Sequence, residues 1–164
     1  MLNHLKIMIK KYRNTGVVFD TNLLLLLVVG LSEQSVSKHK RLSAFVEEDF
    51  QLIKTIAEQF DTIAAPSGVI AEVSNIIGYG GTVWPNMHDR IIETVTHEER
   101  SYAAKELLGT KSLRELGYTD SLLCEKICSE FLFITDDHKL YSMACTCGDA
   151  INFNHIRPLF WKNL

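Results

Sequence analysis

The chain has 164 residues, is 46% hydrophobic and 23% charged, and carries a formal net charge of −3. That length suits one domain whose core needs no disulfide or metal to hold it. The slight acidity argues against a protein that merely coats nucleic acid, and no segment reads as disordered, repetitive or low in complexity.

Residues 1–13 are mildly basic and amphipathic, without the apolar core or cleavage site of a secretory signal. Val17, Val18 and Phe19, entered from Gly16, read as a buried strand of a parallel sheet. Asp20, Thr21 and Asn22 punctuate it. Thr21 or Asn22 is expected to cap a helix carrying Leu23 to Val29, with Gly30 as its stop. That apolar run is far short of the roughly 18 residues of a membrane span, so no membrane partner is expected.

Ser32 to Ser37 reads as a loop, and Lys38 to Phe60 as one long amphipathic helix. Thr62 to Ala65 is a second strand. Pro66 and Ser67 open a helix whose apolar face is Val69, Ile70, Val73, Ile76 and Ile77. Gly78, Gly80 and Gly81 mark a loop. Pro85 to about Leu108 is again helical, and Gly109 breaks it. Leu113 and Leu116 suit a short turn, and Thr119 is expected to cap a helix to about Glu130. Phe131 to Thr135 is a third strand and Asp137 to about Cys145 a helix. Ala150 to Phe153 is a fourth strand, followed by a tail with Pro158, Phe160 and Trp161. The alternation predicts a three-layer α/β/α sandwich with a mainly parallel sheet of four or five strands. It forms a single domain, with a core over about 16–153 and extensions at 1–14 and 154–164.

Cys124, Cys128, Cys145 and Cys147 include no C-x-x-C pair, so the expectation is reduced thiols, mostly core, in a cytoplasmic protein. A zinc site is the alternative, because thiolates bind zinc.

Four acidic stretches stand out: Val17 to Asn22, Val69 to Val73, Gly117 to Ser121 and Phe133 to Asp137. Each acid has an ordinary explanation. Asp20 and Asp137 suit helix caps, with Thr135 and Asp136 competing for the second cap. Glu72 suits a solvated helix face, and Asp120 suits a first helical turn, where the dipole favours it. Yet in an open α/β sheet the site lies outside the C-terminal strand ends, where Asp20, Asp136 and Asp137 fall. Acids converging there would make an all-oxygen site for a hard divalent cation, Mg²⁺ or Mn²⁺.

The ordered set resembles the PIN-domain family of metal-dependent ribonucleases, which includes VapC-like toxins. The resemblance rests on Asp20-Thr21-Asn22, Glu72 after Pro66-Ser67, Tyr118-Thr119-Asp120-Ser121 and Ile134-Thr135-Asp136-Asp137, spread over residues 16 to about 153. It implies Asp20, Glu72, Asp120 and Asp137 as catalytic and metal-binding acids, with Asp136 as the alternative fourth ligand. Thr135 is then a hydroxyl beside the acids, and Asn22 orients Asp20. It also implies cleavage of RNA phosphodiesters to a 5′-phosphate and a 3′-hydroxyl. An antitoxin protein and a second copy of the chain are the partners to look for. Two departures from the compact toxins are the long segment between Asp20 and Glu72 and the extended helix after Pro85.

For RNA contacts the candidates are Lys38, Lys40 and Arg41 in the basic run, and Lys139 beside His138. Tyr79 and Trp84 are candidates for stacking. A solvated helix face and ordinary packing are the plainer readings of these groups, and His138 suits a surface or substrate-side place. Two rival classes remain open. One is a catalytically silent PIN-fold module that binds RNA or a protein. The other is a receiver-like or phosphotransferase domain, which the late acidic pair and the absence of Asp-x-Asp after the first strand disfavour.

Overall fold

The computed structural model describes residues 2–32, 36–77, 83–95, 97–98 and 107–161. Five short strands are β1 (Val17–Phe19), β2 (Ile63–Ala65), β3 (His97–Glu98), β4 (Leu132–Thr135) and β5 (Ala150–Asn152). They form one all-parallel sheet in the order β3-β2-β1-β4-β5. Val17, Val18, Phe19, Leu132, Phe133 and Ile134 are all buried, which is why β1 and β4 read as continuous apolar runs.

Helix α1 (Leu2–Tyr12) precedes β1. Helices α2 (Thr21–Leu31) and α3 (Glu47–Ala57) lead to β2, and α4 (Ser67–Ile77) and α5 (Val83–Thr94) lead to β3. The return to β4 runs through α6 (Lys111–Leu116), α7 (Tyr118–Leu122) and a π-type turn at Leu123–Ile127. Helix α8 (His138–Ala144) joins β4 to β5, and α9 (Phe153–Trp161) follows. Right-handed crossovers place helices for β1-to-β2 and β2-to-β3 on one face, and those for β3-to-β4 and β4-to-β5 on the other. The contacts agree: α2 packs on α3, α4 and α5, while α8 packs on β4, β5 and the π-type turn. The architecture is a three-layer α/β/α sandwich. Among the described residues no helix is long and apolar enough to cross a membrane.

Helix α2 lies at the centre of one layer. Leu23 to Val29 are all buried, so the helix has no polar face to present. It does not stop at Gly30. It continues to Leu31, and Ser32 N–H returns to Val28 O and Val29 O. Gly30 serves close approach instead, since a Cβ there would lie 2.2 Å from the Phe50 ring.

The long helix expected over 38–60 is broken. Val36–Lys38 and Lys40–Leu42 are 3-10 turns, and α3 begins only at Glu47. Asp49 sets that start. Its carboxylate accepts from Val46 N–H at 3.0 Å and is fully buried against Arg157, with contacts of 2.8 and 2.5 Å. Arg157 also lies over the rings of Phe45 and Trp161, which fastens α9 to the body. The C-terminal residues therefore form a helix where the sequence suggested only a tail. Asn152 starts it by accepting from Asn154 N–H at 2.9 Å, so β5 ends at Asn152 rather than Phe153.

Two further boundaries differ. Helix α5 ends at Thr94, and β3 follows where a helix to Leu108 was expected; β3 pairs with the outer side of β2. Residues 99–106 lie outside the described residues. Thr119 does not cap its helix, which starts at Tyr118 behind Gly117. Gly117 has φ +86°, a conformation that bends the chain between α6 and α7 and suits glycine.

Gly30→Ala tests the packing of α2 on α3. The methyl gains about 1 kcal/mol in helix propensity but overpacks Phe50 at a cost of about 1–3 kcal/mol. A net loss of stability in denaturant unfolding is expected, partly restored by adding Phe50→Leu. Unchanged stability in Gly30→Ala would contradict the contact.

Candidate functional site

The sheet order reverses direction between β1 and β4, since the chain moves outward from β1 to β2 on one side and from β4 to β5 on the other. Ligand crevices in open parallel sheets form at such switch points, outside the carboxyl ends of the strands. Asp20 follows β1 there, and Asp136 and Asp137 follow β4.

Asp20 is only 4% exposed and joins three elements. Its Oδ1 accepts from Leu23 N–H at 2.8 Å, so Asp20 itself caps α2, the role expected of Thr21 or Asn22. Its Oδ2 accepts from the Thr135 hydroxyl at 2.5 Å and from Asp136 N–H at 3.0 Å. Thr135 is fully buried and passes the network on, accepting from Asp137 N–H at 3.0 Å. Asp137 caps α8 through Leu140 N–H at 2.8 Å. Asp136 is tied separately, accepting from the Asn22 amide at 3.2 Å. Asn22 therefore addresses Asp136, not Asp20 as the resemblance implied.

Glu72 is an exposed residue on α4, as expected, but its carboxylate is engaged. It accepts from the Thr21 hydroxyl at 2.8 Å and the Thr119 hydroxyl at 2.6 Å. Thr21 is the residue after Asp20 and Thr119 the residue before Asp120. These two bonds carry Glu72 to both neighbouring acids and bridge α4 to α7, which pack together. Sequence reasoning had assigned both threonines to caps. The missed signal was positional: Thr21 and Thr119 each adjoin a candidate acid, as does Thr135, which the resemblance already places beside the acids.

The electrostatics report the same convergence. Burial first, then the charge of Asp136, pushes Asp20 up to about 8 from an ordinary 3.8. Three hydrogen bonds to Asp20 favour its charged form but do not offset that. Burial, then Glu72 and Asp137, pushes Asp120 up to about 6. Among the described residues no lysine or arginine forms an ion pair with Asp20, Glu72, Asp120, Asp136 or Asp137. These five carboxylates are the oxygen donors available to a hard cation. Their side chains are spread along the edge. Among the described residues no three His, Cys, Asp or Glu side chains are already gathered as ligands of one ion.

The basic candidates divide. Arg41 reaches the acid edge, donating from Nε to the Asn22 oxygen at 3.1 Å, and Asn22 in turn donates to Asp136. His39, Lys40 and Arg41 line a cavity of about 540 Å³ with Ile76 of α4. Burial holds His39 below the ordinary histidine value, and its buried Nδ1 has no hydrogen-bond partner among the described residues. Lys38 is exposed, on a 3-10 turn rather than the expected helix. Lys139 donates to Glu115 O at 2.7 Å, a backbone carbonyl of α6. Tyr79 and the side chain of Trp84 lie outside the described residues. Cys124 and Cys128 are buried, with thiols pushed up to about 12, chiefly by burial, while Cys145 and Cys147 are exposed.

Comparison with protein-family models, with curated proteins and with solved structures finds no match to this chain.

The raised carboxyls fix a pH dependence. A folded-state value above the unfolded one gives stability that is full below about 3.8 and lost as pH rises through the folded value. The metal-free protein is therefore expected to lose stability as pH rises toward about 6 for Asp120 and about 8 for Asp20. Asp20→Asn removes the second loss. Thermal unfolding in EDTA should show a flatter decline above pH 6 for the variant, whatever its offset from wild type. Parallel curves would refute the assignment.

Proposed function

We propose that this chain is a PIN-like ribonuclease that depends on Mg²⁺ or Mn²⁺. The observation that carries the reading is the acid edge at the β1/β4 switch point, where burial first and acidic neighbours second push up Asp20 and Asp120, and where no described lysine or arginine pairs with them. A site that strains to ionise with no positive partner among the described residues suits a cation that supplies one. The donors are all oxygen, which fits Mg²⁺ or Mn²⁺ better than a softer metal. Asp20, Glu72 and Asp120 would hold it, with Asp136 or Asp137 as the fourth acid. When bound, such a cation would supply activation of a water and stabilisation of charge developing on a phosphodiester.

The chain's own groups have defined tasks. Thr135 and the Asp136 N–H fix the Asp20 carboxylate, and Thr21 and Thr119 fix Glu72. Arg41, held by Asn22, offers a guanidinium to a substrate phosphate beside the acids. Lys40 extends that basic wall. Core thiols at Cys124 and Cys128 suit the reducing cytoplasm.

A catalytically silent RNA- or protein-binding module is the second reading. The absence of a gathered ligand group among the described residues favours it, as does the engagement of Glu72 and Asp137 by hydroxyl and backbone donors. A titration finding no Mg²⁺ or Mn²⁺ binding at millimolar levels would select this module.

Asp20→Asn and Asp120→Asn should each abolish metal-dependent RNA cleavage while the far-ultraviolet circular dichroism stays that of wild type. Full cleavage by both purified variants would sink the nuclease reading. Arg41→Ala should weaken RNA binding at every sequence and lower the slope of log affinity against log salt by about 1. An unchanged slope would place Arg41 outside the RNA path.

A further inference from the structure

We propose that a second cavity, on the β5 flank of the same edge, is a nucleobase pocket. It measures about 270 Å³ and lies between α1, α8, α9 and the edge strand β5. Leu5, Ile151 and Ile156 give it an apolar floor, and His4, Tyr141 and His155 supply ring walls. His155 meets Tyr141 edge-on, with ring centroids 5.6 Å apart at 83°, and His138 at 5.5 Å and 57°. A planar heterocycle has apolar faces and a polar rim, and these walls match both. The volume is below the roughly 300 Å³ at which pockets for drug-sized ligands begin, so it suits a single base.

The pocket is tied to the acid edge by a hydrogen-bonded frame. Asn152, which lines it, stands opposite Thr135 in the β4–β5 register, and Thr135 is the residue that holds Asp20. The Asn152 oxygen accepts from Asn154 N–H at 2.9 Å, and its amide lies 3.4 Å from His138 Nδ1. Asn154 in turn donates to Asp136 O at 2.7 Å. A base seated here would lie across the acids from the Arg41 cavity, which lines the other flank. The pocket thereby selects which nucleotide enters beside the scissile phosphate. Among the described residues the histidines are not gathered with a third His, Cys, Asp or Glu as ligands of an ion.

The inference deepens the nuclease reading and rests on it for the natural substrate, but its test does not. The probes are the four ribonucleosides, which carry a base and no phosphate and therefore bypass the basic cavity. Each is titrated into the full chain in EDTA while the imidazole proton resonances are followed. At least one nucleoside is expected to move the His155 and His4 signals at millimolar concentration. His155 is exposed, so His155→Ala should fold as wild type and weaken that binding about tenfold. Tyr141→Leu is the second variant, with the same expectation. Failure of all four nucleosides to move these signals, or undiminished binding in both folded variants, overturns the pocket. Nucleoside binding without cleavage of any RNA supports the pocket and overturns the nuclease reading. Cleavage without any nucleoside response overturns the pocket alone.

Discussion

The carboxylate of Asp20 is the constraint on which this edge of the molecule depends. It is buried, and it takes donors from α2, from the last residue of β4 and from the backbone just beyond it. Those bonds fix the start of α2 relative to the end of β4 across the centre of the sheet. A buried carboxylate costs free energy unless its charge is compensated, and here hydrogen bonds compensate only part of it. The remaining cost appears as a raised proton affinity, sharpened by Asp136. The same group is thus a structural joint and a poorly satisfied anion.

Around that joint, threonine hydroxyls do much of the connecting. Thr135 locks Asp20, and Thr21 and Thr119 reach Glu72 from opposite sides. Glu72 sits on a helix of one layer and Asp120 on a helix of the other, and the hydroxyls draw them together over the strand ends. The two flanks differ in character. Toward β2 and α4 the surface is basic, with Arg41 coupled to the acids through Asn22. Toward β5 it is lined with rings above aliphatic side chains. The acids thus have basic groups on one flank and rings on the other.

The buried strands were legible because β1 and β4 are covered on both faces and admit only apolar side chains. So was α2, whose unbroken apolar run records its central position. The acids at the strand ends were legible for the opposite reason, as polar residues placed where an apolar run stops. Less legible were features that depend on distant partners. The start of α3 is set by Asp49 and Arg157, residues 108 positions apart. The role of Gly30 is set by Phe50, and the helical C-terminus by Asn152 together with Arg157. Glu72 looked like a solvated helix acid because a lone Glu in an apolar helical segment ordinarily faces solvent; only the arrival of Thr21 and Thr119 gives it partners.

By itself, then, the sequence determined the layer architecture, through the periods of its apolar residues, and the identity of the acids that end its strands. These are local properties, written in consecutive residues. Tertiary structure decided which acids share a neighbourhood and which threonine serves which carboxylate. It also brought Arg41 to the acids through Asn22 and tied Lys139 to a carbonyl of α6. Those outcomes depend on strand order and helix packing, which bring together residues as far apart as Asn22 and Asp136, and no local pattern encodes that distance.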